Sequence, residues 1–487
     1  MERNKIIKIA LIALVILLNF FVVYNIHLDR PYASHIDEWR AITESQALSQ
    51  GNYQAQGINA MEIGFHFFLA ILWKITPLIQ IYKFLPAIWA TLTGFILFIL
   101  LKKKTNNFYI SLLAWIFFAS IKSNTNITGI WFFTPLSFAL PFIFLYLFYF
   151  SEGIEKQNKK YILLSLLFMA ILIPVHAISL LFSIPLLIIY CLFHLDYIKK
   201  EYKFFSLFLL IPILGLIVYS FFAKLTILAS ISSLITQLTF KYGWGVIEVN
   251  NSPLELYSLA GYILAIIGIA SYFKFIKEKK NYLLYLLWPI VLICMIAFYR
   301  IFHFSFLSPY QRNLYYFAIS LPFWSALGTY YLIKVIKNFL NNIMKSQNKE
   351  RIIKITLTVL MIIIIFFTFA YYNNVPPQFK LYTVMSESDL PILEYLSVLP
   401  EGVVLAPPLL SAAVPSVANK QIVASTYFHG EKINQTQTFF TTSDCNTKKQ
   451  ILTNNKVRYI ISPQKINCTN LNIEEIYKTT SYLYAVK

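Results

Sequence analysis

The sequence predicts an all-α polytopic membrane protein, with about 11–13 transmembrane helices and a small C-terminal extracytosolic α/β domain. Three observations predict it. Of 487 residues, 58% are hydrophobic and 13% charged, against roughly 45–50% and ~25% in soluble domains. Apolar stretches near the ~20 residues that a bilayer crossing needs recur along the chain, at 6–26, 61–79, 84–101, 107–122, 130–150, 161–175, 177–195, 203–223, 257–275, 282–299, 314–337 and 353–372. Beyond 372 the polar residues return. An ordinary soluble protein, a disordered chain, a collagen-like repeat and a disulfide scaffold are all excluded.

The net charge of +19 suggests nucleic acid until the charges are located. Most lie in short loops between apolar runs, where they orient the chain rather than bind a polyanion. The N-terminus and the loops at 102–104, 151–160, 196–203, 274–280 and 334–354 hold 22 Lys or Arg, while the alternate loops (27–60, 123–129, 224–256, 300–312) hold six. The first set is therefore read as cytosolic, and the tail as extracytosolic. The opening stretch lacks a small-residue cleavage site and is read as an anchor. One conflict follows: for both the N-terminus and Lys102–Lys104 to be cytosolic, 61–101 must cross an odd number of times, yet it holds two apolar stretches. The one at 61–79 is the candidate for a non-crossing helix.

Two domains are expected, 1–372 for the multi-span part with a long first outer loop (27–60), and 373–487 for the tail, with Pro376-Pro377 at the boundary. In the tail, Gly402–Ala406, Gln421–Ser425, Val457–Ser462 and Tyr482–Val486 read as buried strands, and 387–398 and 446–453 as helices. Cys191 and Cys294 fall in apolar spans and read as small hydrophobes. Cys445 and Cys468 lie in the tail and can pair in an oxidising compartment.

The apolar spans are almost empty of acid, as the cost of a charge in hydrocarbon requires. This argues against a proton-relay transporter. The outer acids are few, and the stretch His35-Ile36-Asp37-Glu38-Trp39-Arg40 concentrates them. An adjacent Asp-Glu pair directs its carboxylates differently: one can face a cavity while the other caps a helix. A helix over 38–50 with Asp37 near its N-cap is the structural alternative for that residue. Arg312, opening an apolar span, can bury its stem and keep its guanidinium polar. Arg300 and His303 share its loop. His176 sits in a short outer connection. Tyr242 and Trp244, beside Lys241, offer aromatic faces suited to sugars or to the membrane interface. Glu62 and His66 lie four apart on one helical face without completing a zinc signature. No Walker loop, dinucleotide glycine pattern or zinc cysteine cluster occurs.

Three stretches carry a resemblance. They are His35-Ile36-Asp37-Glu38-Trp39 through Ala47, Gly51, Asn52 and Tyr53; Arg312-Asn313-Leu314-Tyr315-Tyr316 with Pro322 and Gly328; and the tail segments Leu399–Leu405, Val414-Pro415 and Val457–Ile461. With one opening span and an outer C-terminal domain, they resemble the GT-C superfamily of membrane glycosyltransferases, which includes protein O-mannosyltransferases, aminoarabinose transferases and oligosaccharyltransferase catalytic subunits. The resemblance implies a polyprenyl phosphate or diphosphate sugar as donor and a lipid, glycan or protein acceptor. It implies Asp37 as base, with Glu38 as its fallback. Arg312, Arg300, His303, His176, Tyr242, Trp244 and His35 would bind substrate. The oligosaccharyltransferase branch uses a divalent metal (magnesium or manganese) held partly by an acidic motif in the next outer loop; here that loop is Ser123–Gly129, without a carboxylate. Membrane lipids are expected partners and nucleic acid is not. The rival readings are a lipid or polysaccharide transporter and a non-catalytic scaffold of the same fold.

Overall fold

The computed structural model describes residues 2–53, 61–124, 127–222, 224–240, 253–276, 279–343, 348–370, 384–424 and 430–487. Its principal helices are α1 (Glu2–Tyr24), α2 (Ile36–Ser49), α3 (Ile63–Ile75), α4 (Leu85–Thr105), α5 (Phe108–Ala119), α6 (Pro135–Glu155), α7 (Lys159–His176), α8 (Ser183–Leu192), α9 (Leu207–Phe222), α10 (Leu259–Phe275), α11 (Leu283–Phe302), α12 (Tyr310–Ser320), α13 (Pro322–Ile343) and α14 (Lys349–Ala370). The tail adds α15 (Leu390–Val398), α16 (Val414–Ala418), α17 (Gly430–Thr441) and α18 (Cys445–Asn454). Among the described residues eight helical stretches are long and apolar enough to cross a membrane, and four shorter apolar helices accompany them. Together they fall on the twelve stretches that hydropathy marks.

The chain divides into two compact units. One comprises Met1–Asn25, Ala55–Phe65 and Pro86–Lys380; the other comprises Ile26–Gln54, His66–Leu85 and Leu381–Lys487. The first is the helical bundle. Short polar side chains set several of its helix starts by accepting unpaired backbone N–H groups. Asn107 caps α5 through the N–H groups of Tyr109 and Ile110, Asn158 caps α7, and Ser258 accepts from Gly261 N at 3.0 Å to open α10.

Packing within the bundle rests on small residues and a few buried polar bonds. Trp115 Nε1 donates to Asn19 Oδ1 at 2.9 Å, joining α5 to α1, and Gly94 on α4 lies against both side chains. The α10–α13 crossing is closer still, with Gly268 and Gly328 bringing the two backbones into touch. Hydroxyls reinforce it: Ser325 Oγ donates to Gly261 O at 2.9 Å, and Tyr257 OH donates to Ser325 Oγ at 2.8 Å.

The bundle also gathers several of the lysines. Lys8 Nζ lies 5.5 Å from the centre of the Phe108 ring. Buried Lys104 is bonded to Glu152 at 2.7 Å and to Glu155. Tyr282 OH donates to Lys104 O at 3.4 Å. The N-terminal lysine, the lysine run and the ends of α6 and α11 therefore share one end of the bundle, as the charge pattern requires.

The tail holds a five-stranded sheet in the order β4 (Gln421–Ile422), β3 (Val403–Leu405), β5 (Val457–Ser462), β7 (Tyr482–Val486), β6 (Ile473–Lys478). Strand β3 runs parallel to β4 and β5, and β7 is antiparallel to β5 and β6. A separate two-stranded ribbon, β1 (Thr239–Phe240) with β2 (Ser305–Phe306), belongs to the bundle. All four expected tail strands form. The fifth, β6, reads Ile-Glu-Glu-Ile-Tyr-Lys at a sheet edge, and its charges hide the strand from a hydropathy reading while blunting that edge. The short α16 and the polar α17 were likewise not expected. The core gathers Leu405, Val423, Phe439, Ile451, Leu452, Ile460 and Tyr484. The Pro376-Pro377 boundary lies outside the described residues.

Cys445 and Cys468 are disulfide-bonded across 23 residues. Closing a loop of that size stabilises by about 3 kcal/mol through the unfolded chain. Cys468→Ala is expected to lower the tail's unfolding free energy by about that amount, measured by denaturant titration of the full chain with a tail-specific probe. An unchanged midpoint would refute it.

Candidate active site

The first candidate locus lies in the unit that includes the tail. Helix α2 begins at Ile36, and His35, not Asp37, is its N-cap. His35 Nδ1 accepts the Asp37 N–H at 3.0 Å. The Glu38 carboxylate turns back and accepts from the backbone N–H groups of Ser34 and His35 at 2.9 and 3.0 Å. This is a capping box in which Glu38 is the reciprocal partner, and Glu38 is 1% exposed. Trp39 Nε1 donates to Ala33 O at 3.0 Å, fixing the turn that leads into the helix. Helix α2 then packs on α16 and on the Leu410–Ala412 turn.

The two carboxylates are thereby separated in role. Glu38 is committed to backbone donors, whereas the Asp37 side chain stays 27% exposed. Asp37 Oδ2 comes within 3.6 Å of His35 Nδ1. That nitrogen already serves as an acceptor, so the approach is proximity rather than an ion pair. Around them stand a buried Arg40 and a buried His66 whose Nδ1 lies 3.0 Å from Tyr53 OH. The Tyr82 phenol lies in the field of Glu38 and Asp37. Burial, aided by Glu387 and Glu394, pushes the Tyr32 phenol above its usual range.

The second locus lies within the bundle, at the end opposite Lys102–Lys104. Arg312, on the first turn of α12, is 7% exposed and donates to Ile127 O of the loop between α5 and α6. Its charge acts on His176, Tyr315 and Tyr316. Tyr315 OH accepts from Ile130 N at 2.7 Å. His176 Nδ1 lies 2.6 Å from Ser179 Oγ, which lies 2.8 Å from Tyr316 OH. The structure thus brings Arg312 and His176 together. Buried polar atoms here, Asn313 Oδ1, Ser308 Oγ and Thr128 Oγ1, have no hydrogen-bond partner among the described residues. Unpaired buried acceptors and hydroxyls are what a ligand or water would satisfy.

The remaining candidates are placed differently. Arg300 is exposed, with its guanidinium 5.0 Å from the Tyr310 ring centre, and Tyr310 stacks on Tyr299 at 4.3 Å. Exposed His303 is the left-handed C-cap of α11, at φ 55°. Tyr242 and Trp244 lie outside the described residues. Ser179 and Lys122 escaped the sequence reading, the first because a serine four residues before Ser183 carries no signal. Lys122 falls at the edge of an apolar run and is 4% exposed.

Among the described residues no group of three or more His, Cys, Asp or Glu is placed to hold an ion. Glu38 Oε2 accepts from two backbone donors, and the 123–129 loop has no acid to add.

No family model and no curated protein matches the sequence. Solved structures do match the fold. The archaeal oligosaccharyltransferase AglB from Archaeoglobus fulgidus, in complex with an inhibitory peptide and a dolichol-phosphate, aligns at TM-score 0.60 and 13% identity, covering 94% of this chain and 69% of that one. ArnT from Cupriavidus metallidurans bound to undecaprenyl phosphate aligns at TM-score 0.56 and 10% identity, covering 98% and 97%. An A. fulgidus oligosaccharyltransferase complex with zinc and sulfate gives TM-score 0.56 at 13% identity, covering 92% and 67%. The fold is one that these solved structures share, and here it comprises a polytopic helical bundle and a small C-terminal sheet domain. Coverage by ArnT is nearly complete in both directions, so the likeness spans the tail as well as the bundle.

Proposed function

We propose that this protein is an integral membrane glycosyltransferase that moves a sugar from a polyprenyl phosphate or diphosphate to an acceptor on the extracytosolic face. The observation that carries the reading is the polar cluster around Arg312. A buried guanidinium, an imidazole, phenols and unpaired polar atoms in one place suit a phosphate. The neighbours' bound dolichol-phosphate and undecaprenyl phosphate support the same ligand class.

In this reaction the acceptor oxygen forms a bond to the anomeric carbon from the face opposite the leaving group. The bond from that carbon to the phosphate oxygen breaks, and the lipid phosphate departs with the electron pair, so configuration inverts. Asp37 takes the acceptor proton, which requires hydrogen-bond reach of that oxygen. Glu38 holds the start of α2 and so positions Asp37. Arg312 receives the charge that grows on the leaving phosphate, a preorganised electrostatic role. No step is assigned to a metal. The basic loops support a cytosolic N-terminus, and the tail disulfide fits an oxidising, extracytosolic compartment.

The test uses full-length protein in proteoliposomes with a panel of polyprenyl-phosphate sugars. Sugar transfer with release of polyprenyl phosphate is expected. Charge-assisted hydrogen bonds contribute roughly 1.5–3 kcal/mol, so Arg312→Ala should lose about 10- to 100-fold in kcat/KM. Arg312→Lys should recover part of it. Lipid movement across vesicles with no glycosyl transfer from any donor would overturn the proposal.

A further inference from the structure

The chain of contacts behind Arg312 has a direction. Tyr316 is fully buried, its ring stacked on Phe182 with centroids 3.9 Å apart. Its hydroxyl makes one hydrogen bond among the described residues, to Ser179 Oγ at 2.8 Å. A buried phenol proton with no acceptor costs about 1–3 kcal/mol, so it points at Ser179. Ser179 has a single proton. Accepting from Tyr316, it donates onward to His176 Nδ1 at 2.6 Å. The reverse order, from imidazole to serine to phenol, strands the Tyr316 proton.

We infer that Ser179 and Tyr316 are positioning residues that lock His176 as its Nε2–H tautomer, so that His176 donates one hydrogen bond to a phosphate oxygen beside Arg312. The inference rests on the phosphate-ligand reading above and adds to it a mechanism of orientation. A neutral histidine becomes a fixed donor at one nitrogen only when the other is held as an acceptor. His176 is 3% exposed, and its Nε2 has no protein partner among the described residues. Arg312 supplies the charge and His176 a fixed, uncharged donor. Together they make a two-point grip for a tetrahedral phosphate, which a lone guanidinium makes less directional.

The probe is undecaprenyl phosphate, titrated against the purified full chain in detergent micelles. Ser179→Ala and Tyr316→Phe are each expected to weaken binding about tenfold, the loss of one oriented hydrogen bond. Tyr316→Phe keeps the stack on Phe182, and Ser179→Thr, which keeps the hydroxyl, should bind within about twofold of the parent. Asparagine presents an amide N–H whatever its surroundings. In a His176→Asn background, therefore, Ser179→Ala and Tyr316→Phe should change nothing further. Nitrogen NMR of histidine-labelled protein should show the His176 signal as Nε2–H in the parent and a tautomer mixture in Ser179→Ala.

Equal losses in the parent and His176→Asn backgrounds, or none in either, would overturn the relay. A parent protein that shows the Nε2–H signal yet does not bind undecaprenyl phosphate would instead overturn the phosphate reading. The two failures are thus distinguishable.

Discussion

Gly268→Ala is expected to disrupt the bundle, although alanine is normally the better helix former. In an ordinary helix interior the exchange gains up to about 1 kcal/mol. Here a Cβ on Gly268 would overlap the carbonyl oxygen of Trp324 and come within 2.8 Å of its carbon and 3.0 Å of Gly328 N. A Cβ on Gly328 would overlap Leu264 O in the same way. The obstacles are backbone atoms and cannot rotate aside. Relief requires α10 and α13 to separate, and separation breaks the Ser325–Gly261 and Tyr257–Ser325 hydrogen bonds that lie along the same seam. Overpacking against fixed backbone together with lost buried polar bonds places the cost at about 4 kcal/mol or more. That is roughly a thousandfold in the folding equilibrium. The measurement is the monodisperse folded yield and thermal midpoint in detergent. Gly215→Ala serves as the control, since its Cβ would meet only the Ile173 side chain, 3.1 Å away. A Gly268→Ala protein with the parent midpoint would show that the crossing is looser than drawn.

The crossing also marks the limit of what the residues disclose. Every apolar stretch was legible, because a bilayer solvent imposes length and composition on each one separately. Which two glycines meet is a property of two stretches together, and neither contains it. The lysine runs were legible as orientation signals, and the contact between Lys8 and Phe108 agrees with placing the N-terminus beside Lys102–Lys104. The relay from Tyr316 to His176 was hidden for the same reason as the glycines. Its phenol and serine are separated by 137 positions, and a serine near a helix end has many ordinary uses. The Asp37-Glu38 pair shows a subtler limit. Sequence locates a helix start to within a residue or two, and here that margin decides which carboxylate is free. With Asp37 as the cap, Glu38 would be the available acid. With His35 as the cap, the backbone takes Glu38 and leaves Asp37.

Asp37→Asn should therefore abolish transfer while leaving the fold intact. General-base catalysis contributes typically 10²–10⁴-fold, so a fall of about a thousandfold in kcat is expected. Stability should move little. Asp37 makes no cap of its own, and its favourable place in the first turn of α2 contributes only about 0.3–1 kcal/mol. Glu38→Gln gives the discriminating comparison. Glutamine retains the oxygen that accepts from Ser34 and His35, and glutamine is itself a natural partner in a capping box. That variant should keep activity within about tenfold, with any loss coming from a weaker hold on the helix start. Glu38→Ala, which leaves both N–H groups unpaired, should cost stability and activity together. If Glu38→Gln were dead and Asp37→Asn active, the proton acceptor would be Glu38, and its capping contacts would have to open during turnover. The expected order of Asp37→Asn far below Glu38→Gln follows from one geometric fact: the second carboxylate already has two hydrogen bonds to accept, and the first is still available to take a proton.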